Sequence, residues 1–243
     1  MLLSMHKIGI IIPCFNEAKR LDFSEVKQLS LLPNINIYFA NDGSTDNTLE
    51  MINEFISTSK QKNLAVINYV HNTGKANTIY NSVKNLLENT ELDYIGYLDA
   101  DFATNVDEFS KMINSLNNNQ LEFIIASRVN LLNSNIKRKY YRHLIGRLIV
   151  TIINLKYHLG VYDTQCGAKI FSREIISIGF RSSFHTSWLF DIELFIRLRT
   201  EHLLRYGTEF PIKNWRDIEG SKLKTTHIFL ILKELLTLYK FYK

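Results

Sequence analysis

The chain has 243 residues but only two cysteines and three prolines. Cys14 and Cys166 lack the spacing of a metal site or of a disulfide framework, so a reducing cytosol is the simpler setting. No apolar run reaches 18 residues, and the run near the start, Ile8–Ile12, stops at Pro13. We therefore expect neither a secretory signal nor a membrane-spanning helix. Linkers rich in proline or serine, low-complexity segments and repeats are also lacking, which favours one main domain.

The composition is that of a folded protein with a mild excess of positive charge. Apolar residues make up 46% of the chain and charged residues 22%, which excludes a disordered chain. The net charge is +5 and the isoelectric point is about 9.0. This balance favours anionic partners such as nucleotide phosphates or a phospholipid surface. We expect no nucleic-acid partner.

Apolar strand-like runs alternate with helix-like segments in the first half of the chain. The runs are Lys7–Ile12, Ile35–Ala40, Leu64–Val70, Tyr94–Leu98 and Leu121–Ala126, and the helical segments span about 22–32, 46–60, 75–89 and 105–118. Such alternation predicts an α/β fold whose mostly parallel central sheet is covered by helices on both faces. Ligands of these sheets bind at the carboxyl ends of the strands, where each run here is followed by polar residues.

The most informative of these strand ends carries Asp99 and Asp101. The apolar run before them places two carboxylates, one residue apart, at the end of a buried strand. Hard oxygen ligands of this kind suit Mg²⁺ or Mn²⁺ together with substrate phosphates. An ordinary turn at the end of a strand is the alternative.

Two other strand ends have features that suit a nucleotide. Asp42 directly follows an apolar run and could accept hydrogen bonds from a nucleobase, whereas Ser44, Thr45 or Asp46 could simply cap the next helix. Asn72-Thr-Gly-Lys75 opens another helix and could meet an anion through backbone N–H groups and one cation. It lacks the rest of the Walker pattern.

Together these motifs resemble family 2 glycosyltransferases of the Rossmann-like GT-A fold. The matching segments are Ile12-Pro-Cys-Phe-Asn-Glu17, Asn41-Asp-Gly-Ser-Thr-Asp46, Asn72-Thr-Gly-Lys75 and Leu98-Asp-Ala-Asp101. Asp163-Thr-Gln-Cys-Gly-Ala-Lys-Ile-Phe171, Trp188-Leu-Phe-Asp-Ile-Glu193 and Asn214–Leu223 are similar to the dolichyl-phosphate β-glucosyltransferase branch. The likeness implies an inverting hexosyltransferase with a UDP-sugar donor, most simply UDP-glucose, a divalent metal (Mg²⁺ or Mn²⁺) and a polyprenyl phosphate acceptor.

The resemblance also implies roles for residues on the donor side. Asp101 would bind the metal that bridges the diphosphate, while Asp99 would assist it or hold ribose or sugar. Lys222 would cover the diphosphate. The remaining donor contacts, around the uridine and beside the donor, would come from Pro13, Phe15, Glu17, Asp42 and Lys75.

On the acceptor side, the resemblance implies that Arg128 and Arg142 grip a phosphate, to which a guanidinium fork is suited. Either arginine could instead pair with a surface carboxylate. Asp191 and Glu193 would lie near the acceptor pocket, although a salt bridge on the helix surface is the alternative for Glu193. A phosphate nucleophile is already anionic at neutral pH, so Asp191 would only position it. A sugar hydroxyl would need a base, and Asp191 would be the first candidate.

The chain departs from the family pattern in two respects. Ala103 stands where mannose synthases have a metal-binding glutamine, so the metal would have fewer protein ligands. Several relatives have membrane helices, whereas this chain offers only amphipathic ones, so these would have to reach the lipid on the cytoplasmic face of a membrane. Residues 1–224 would form the GT-A domain and residues 225–243 an amphipathic C-terminal helix, either an interfacial anchor or part of a homodimer interface.

An earlier helical segment, Tyr140–His158, has a polar stripe on an apolar background. The stripe consists of Arg147, Thr151, Asn154 and His158. Core packing and contact with lipid are both open for this segment.

Two other functions remain as rivals. One is a glycosyltransferase that acts on a sugar hydroxyl in surface glycan assembly, and the other is a catalytically silent protein that binds a nucleotide sugar. A nucleotidyltransferase is disfavoured because the expected glycine-rich, basic N-terminal loop is missing.

Overall fold

The computed structural model describes residues 6–137, 140–216 and 227–242, with the side chains of 140–143 and 227–228 left aside. The strands are Ile8–Cys14 (β1), Ile35–Asp42 (β2), Leu64–Tyr69 (β3), Tyr94–Leu98 (β4), Phe123–Ser127 (β5), Asn135–Lys137 (β6), Ala168–Ser172 (β7), Gly207–Pro211 (β8) and Asn214–Arg216 (β9). The α-helices are Phe23–Ser30 (α1), Thr48–Thr58 (α2), Lys75–Asn89 (α3), Val106–Asn118 (α4), Tyr140–Tyr157 (α5), Arg173–Gly179 (α6), Phe190–Thr200 (α7) and His227–Phe241 (α8). A short 3-10 helix spans Leu204–Tyr206.

The main sheet has seven strands in the order β3-β2-β1-β4-β7-β5-β8. All neighbours are parallel except β7, which runs antiparallel to both β4 and β5. The expected α/β architecture with a mostly parallel sheet is therefore confirmed. β6 and β9 form a separate two-stranded parallel sheet.

The strand order creates a crevice at the carboxyl edge of the sheet. The chain builds outward from β1 through β2 to β3 and then returns to place β4 on the other side of β1. The loops that follow β1 and β4 therefore diverge, which is where open α/β sheets bind ligands.

Burial on both faces explains why the central strands are apolar throughout. Ile10 and Ile12 of β1 pack into one cluster together with Phe39, whereas Ile11 packs into the opposite cluster with Tyr97. Because successive side chains of a strand point to opposite faces, each cluster takes alternate residues. Residues of the helices complete both clusters and so cover both faces of the sheet.

The polar stripe of α5 fastens the chain that follows this helix. Arg147 donates a hydrogen bond to the carbonyl of Tyr162 (3.1 Å), and Asn154 donates one to the carbonyl of Val161 (3.1 Å). Thr151, by contrast, is exposed. Two members of the stripe therefore hold the loop between α5 and β7, which leads into the Asp163 motif.

The C-terminal helix α8 packs against the domain through one face only. Ile231, Leu235 and Leu238 are buried, whereas Phe229 and Leu236 are largely exposed. Within the described ranges, no helix is both long and apolar enough to cross a membrane.

Candidate active site

The Asp99–Asp101 turn lies at the end of β4, in the crevice. The carbonyl of Asp99 accepts a hydrogen bond from the N–H of Phe102 (3.0 Å), and Phe102 has a φ of 47°. A positive φ at a bulky residue is rare and is often found at functional sites. Both carboxylates are partly exposed, while Asp101 also accepts a hydrogen bond from the N–H of Ala103 (3.1 Å).

A lysine from the start of α3 neutralises one of these carboxylates. The Lys75 ammonium lies 2.5 Å from Asp99 Oδ1. Burial alone would lower the pKa of Lys75, but the charges of Asp99 and Asp191 raise it overall. Burial and the adjacent charge of Asp99 raise the pKa of Asp101. Asp101 is thus an acidic group held in a setting that disfavours its charge unless a cation is added.

The donor set suits a hard divalent cation with few protein ligands. Asp99 and Asp101 supply carboxylate oxygens, the ligand type that Mg²⁺ and Mn²⁺ prefer. Across the part of the chain that the structure describes, no three His, Cys, Asp or Glu residues converge as a metal cluster. A metal at this turn would therefore depend on ligands from its substrate.

Asp42 is buried at the end of β2, where it organises the loop before α3. Its Oδ1 accepts a hydrogen bond from the N–H of Thr73 (2.8 Å), and its Oδ2 accepts one from the N–H of Gly74 (2.9 Å). Gly43, with a φ of 63°, allows the tight turn that follows, where any β-carbon would collide with the backbone of residues 71 and 72. Asp42 thus fixes the position of Lys75, and a direct contact with a nucleobase remains a prediction.

Pro13 and Phe15 also lie at this edge. Pro13 is within β1, opposite Ala40 of β2, and is half-buried, as is Phe15 just beyond the strand. Asn16 ties this loop to the one after β2, because its side chain accepts a hydrogen bond from the N–H of Thr45 (2.8 Å). The loops after β1 and β2 are therefore tied together at this edge, and contacts of Pro13, Phe15 and Glu17 with uridine remain predictions.

Glu17 holds Arg20, a cation that none of the sequence motifs indicates. The Arg20 guanidinium binds both Glu17 oxygens, at 2.7 and 2.5 Å. Partial burial lowers the pKa of Arg20, but Glu17 raises it overall. The negative charges of Asp101 and Asp99 shift the pKa of Arg20 in the same direction. The position of Arg20 three residues after Glu17 was the signal available in the sequence.

The Asp163–Gly167 segment lies directly against Asp99. The N–H of Asp99 donates to the carbonyl of Gly167 (2.9 Å), and a β-carbon on Gly167 would overlap the Asp99 carboxylate. Only glycine permits this approach. This contact gives a physical reason for the glycine in the Asp-Thr-Gln-Cys-Gly motif.

Arg128, at the end of β5, is engaged within the chain. Its guanidinium forms a two-pronged ion pair with Asp163 (2.7 and 2.8 Å) and lies 5.1 Å from the centre of the Trp215 ring. Burial lowers the pKa of Arg128, but Asp163 raises it well above its usual range. The partner is a buried motif residue, not a surface carboxylate, and a grip on an acceptor phosphate remains a prediction.

Asp191, the second residue of α7, lies in a buried polar cluster. Its Oδ1 accepts a hydrogen bond from the hydroxyl of Tyr97 (2.5 Å) and lies 2.9 Å from the ammonium of Lys169. Lys169 is fully buried and also donates to the carbonyl of Cys166 (2.5 Å). Burial and the Asp191 charge raise the pKa of Tyr97, so Tyr97 stays protonated and donates. Lys169 was not singled out from the sequence because a lysine within a strand gives no sign of burial.

Glu193 lies away from the helix surface, which corrects the alternative of a surface salt bridge. It is fully buried and accepts hydrogen bonds from the N–H groups of His185 and Thr186. Arg197, one turn later, forms a buried ion pair with it at 2.8 Å. The observed contacts of Glu193 therefore hold the loop before α7 and Arg197 in place.

Two further predicted site residues cannot be placed. Lys222 lies outside the described residues, and the side chain of Arg142 does as well, although its backbone belongs to α5. Their roles over the diphosphate and at the acceptor phosphate stay predictions.

The mostly parallel sheet with its one antiparallel strand has the GT-A fold of known glycosyltransferase structures. The sequence model of glycosyl transferase family 2 matches residues 9–179, and the chain belongs to that family.

Curated relatives are similar along most of the chain. A dolichyl-phosphate beta-glucosyltransferase of Trichomonas vaginalis is 28% identical over 97% of this chain and 74% of its own length. The dolichyl-phosphate beta-glucosyltransferase of Homo sapiens is 29% identical over 89% of this chain and 69% of its own length. The resemblance to this branch is thus confirmed.

Among solved structures, a glucosyl-3-phosphoglycerate synthase from Mycobacterium tuberculosis shares the fold. It superposes with a TM-score of 0.68 and 13% identity, covering 97% of this chain and 79% of that one. That crystal contained Mn²⁺, UDP and glucosyl-3-phosphoglycerate. At this identity the likeness shows the fold alone.

Proposed function

We propose that this glycosyltransferase moves glucose from UDP-glucose to a polyprenyl phosphate, with inversion at the anomeric carbon. The dolichyl-phosphate beta-glucosyltransferases among its relatives support the donor sugar and the acceptor class. The observation that carries the proposal is that the Asp191 carboxylate is buried and already bound by other side chains. This carboxylate is 4% exposed, and its Oδ1 is already bound by Tyr97 and Lys169.

A buried, occupied Asp191 favours an acceptor that needs no base. A sugar hydroxyl must lose its proton during attack, and a general base has to lie within hydrogen-bond reach of it. Little of Asp191 is open to such a hydroxyl. A phosphate monoester has a second pKa near 6, so its oxygen is already anionic at neutral pH.

The donor would lie along the carboxyl edge of the sheet. Asp101 and Asp99 would hold Mg²⁺ or Mn²⁺, and Lys75, which binds Asp99, would lie beside the donor. A relative in fold was crystallised with Mn²⁺ and UDP, which supports a divalent metal. When bound, the metal would offset negative charge on the leaving diphosphate.

The chemical step is a single displacement. One acceptor phosphate oxygen attacks the anomeric carbon while the bond from that carbon to the UDP oxygen breaks, and UDP leaves with the electron pair. Lys75, together with Lys222 in its predicted role, would stabilise the negative charge that develops on UDP. Arg142 would bind the acceptor phosphate. Arg128 would stay paired with Asp163 and add positive charge near the same phosphate.

We further propose that α5 and α8 contact a membrane surface peripherally. On α8, exposed Phe229, Leu232 and Leu236 recur at spacings of three and four residues, which places them on one stripe. Exposed Lys233 and Lys240 adjoin this stripe. An apolar stripe with flanking lysines is typical of interfacial helices that meet anionic lipid.

α5 adds a second exposed stripe made of Leu144, Leu148 and Leu155. The two helices meet near their carboxyl ends, where the Tyr157 hydroxyl donates to the Tyr242 carbonyl (2.9 Å). A homodimer that covers these stripes is the alternative outcome.

The experiment is a panel of UDP- and GDP-sugars incubated with a short-chain polyprenyl phosphate and Mn²⁺ or Mg²⁺, with products identified by mass. We expect a lipid-linked phosphoglucose from UDP-glucose. Product only on free-sugar acceptors would contradict the proposal, and metal-dependent UDP binding without any turnover would indicate a silent binding protein.

A further inference from the structure

One carboxylate of α8 holds the beginning of α7, the helix that carries Asp191. The Oε1 of Glu234 accepts hydrogen bonds from the N–H and the hydroxyl of Ser187 (3.0 and 2.7 Å). Its Oε2 accepts them from the N–H groups of Trp188 (2.9 Å) and Leu189 (2.8 Å). Glu234 is 6% exposed although it lies on a helix whose outer face is open.

Of these three N–H groups, that of Leu189 belongs to the N-cap residue of α7, whereas those of Ser187 and Trp188 belong to the loop before the helix. The first N–H groups of a helix have no partner inside the helix and need an acceptor. Leu189, at the N-cap position of α7, has no side chain that could serve. A negative charge at this end also interacts favourably with the helix dipole. Glu234 therefore caps the N–H of the N-cap residue and fastens the loop before α7, both from another helix.

Other contacts hold the same loop from the α7 side and from the end of α8. Glu193 accepts the N–H groups of His185 and Thr186, so two carboxylates together take the N–H groups of residues 185–189. The Tyr242 hydroxyl donates to Glu193 (2.9 Å). The His185 ring stacks on Phe241 with centroids 3.8 Å apart.

The held loop leads directly into the site. Leu189 is followed by Phe190 and Asp191, and Asp191 contacts Lys169, which donates to the carbonyl of Cys166. Cys166 precedes Gly167, whose backbone lies against Asp99. A chain of direct contacts thus joins α8 to the Asp99–Asp101 turn.

We infer that Glu234 is a positioning residue for Asp191, and that α8 is part of the active-site framework in addition to any contact with lipid. The inference rests on the proposed function for its catalytic readout. It implies that deleting α8 removes a catalytic support together with a tether.

The test compares Glu234→Gln with Glu88→Gln, the same change at an exposed site on α3. The amide is isosteric with the carboxylate but carries no charge, and one of its two ends is a donor, so it cannot accept from all of these N–H groups. We expect Glu234→Gln to lower kcat at least 10-fold on a short-chain acceptor that requires no vesicle. KM for UDP-glucose should change less than 3-fold, and Glu88→Gln should match the parent.

Hydrogen exchange at residues 187–189 and titration with UDP and Mn²⁺ supply readouts that do not require turnover. We expect exchange at these amides to accelerate in Glu234→Gln while the affinity for UDP is kept. Unchanged kcat together with accelerated exchange would overturn the positioning role. Unchanged exchange would overturn the cap itself. If the parent protein transfers no sugar but exchange still accelerates, the proposed function fails and the cap stands.

Discussion

At the residue scale, the candidate site contains a contact so close that only a glycine fits there. Gly167 lets the Asp-Thr-Gln-Cys-Gly segment approach Asp99, and Lys75 offsets the Asp99 charge from the other direction. Asp101 has no comparable ion pair within the described chain, and its pKa is raised by burial and by Asp99. The two carboxylates of the turn thus have different electrostatic surroundings despite their identical chemistry.

Substituting Gly167 with alanine should disable donor binding. The added methyl group would overlap the Asp99 carboxylate, so either the loop or the turn must move. We expect UDP affinity in the presence of Mn²⁺ to fall at least 10-fold, with a loss of stability of about 1–3 kcal/mol from overpacking. Isothermal titration and urea unfolding measure the two effects.

Gly9→Ala is the matched control for that change. Its β-carbon would collide with the Leu92 side chain, near the amino ends of the strands and away from the crevice. It should therefore cost stability without weakening UDP binding. Equal losses of UDP affinity in both variants would show that Gly167 acts only through stability.

Asp101→Asn should increase stability while it abolishes turnover. A carboxyl whose pKa is raised in the folded state binds its proton more tightly there than in the unfolded chain, so its ionised form destabilises the fold. That penalty is present at neutral pH and is relieved as the pH falls through the raised pKa. We expect a higher Tm for the variant at pH 7, with the gain shrinking toward pH 4. A lower Tm at pH 7 would contradict this assignment.

At the element scale, β7 and α7 matter most, and neither was placed from the sequence. The apolar runs and the helical segments of the first half were predicted within a few residues, because burial on both faces leaves a plain periodic pattern. β7 contains the buried Lys169, which breaks that pattern, and α7 lacks a side-chain cap of its own.

Whether a site residue could be predicted from the sequence also depended on whether its contacts are local or distant along the chain. Asp99, Asp101, Asp42 and Lys75 were recognisable because each adjoins the end of an apolar run or a turn. Arg20, Lys169 and Glu234 act through partners that only the fold brings close.

Removing Lys169 should destabilise the elements that meet at Asp191. Lys169→Met leaves a buried carboxylate without its cation, and breaking a buried pair in this way costs about 3–5 kcal/mol. Adding Asp191→Asn should restore most of that loss because the unpaired charge is gone. Urea unfolding of the single and double variants measures the coupling.

Arg181→Met serves as the comparison, since its ion pair with Glu201 is largely exposed and should contribute less than about 1 kcal/mol. If Lys169→Met costs no more than Arg181→Met, the buried ion pair has been misassigned.

At the scale of the whole molecule, the outer face of α8 and the site are linked. α8 presents an exposed apolar stripe on one side and Glu234 on the other. A lipid-bound acceptor would thus meet a helix that also supports Asp191.

Leu232→Glu combined with Leu236→Glu should abolish binding to vesicles that contain anionic lipid. Both leucines are exposed, so the charges oppose insertion without disturbing the core. Leu31→Glu, at an exposed leucine that follows α1, should leave flotation unchanged. Retained flotation of the double variant would rule out this stripe as the lipid contact, and a shift from dimer to monomer would favour a subunit interface instead.

The central claim is that the acceptor is a phosphate that requires no base. The most direct measurement compares a short-chain polyprenyl phosphate with the corresponding polyprenol as acceptors of UDP-glucose, using the parent protein and Asp191→Asn. We expect product on the phosphate alone, with measurable turnover retained in Asp191→Asn because that residue only positions its surroundings. Transfer to the free hydroxyl that disappears in Asp191→Asn would contradict it.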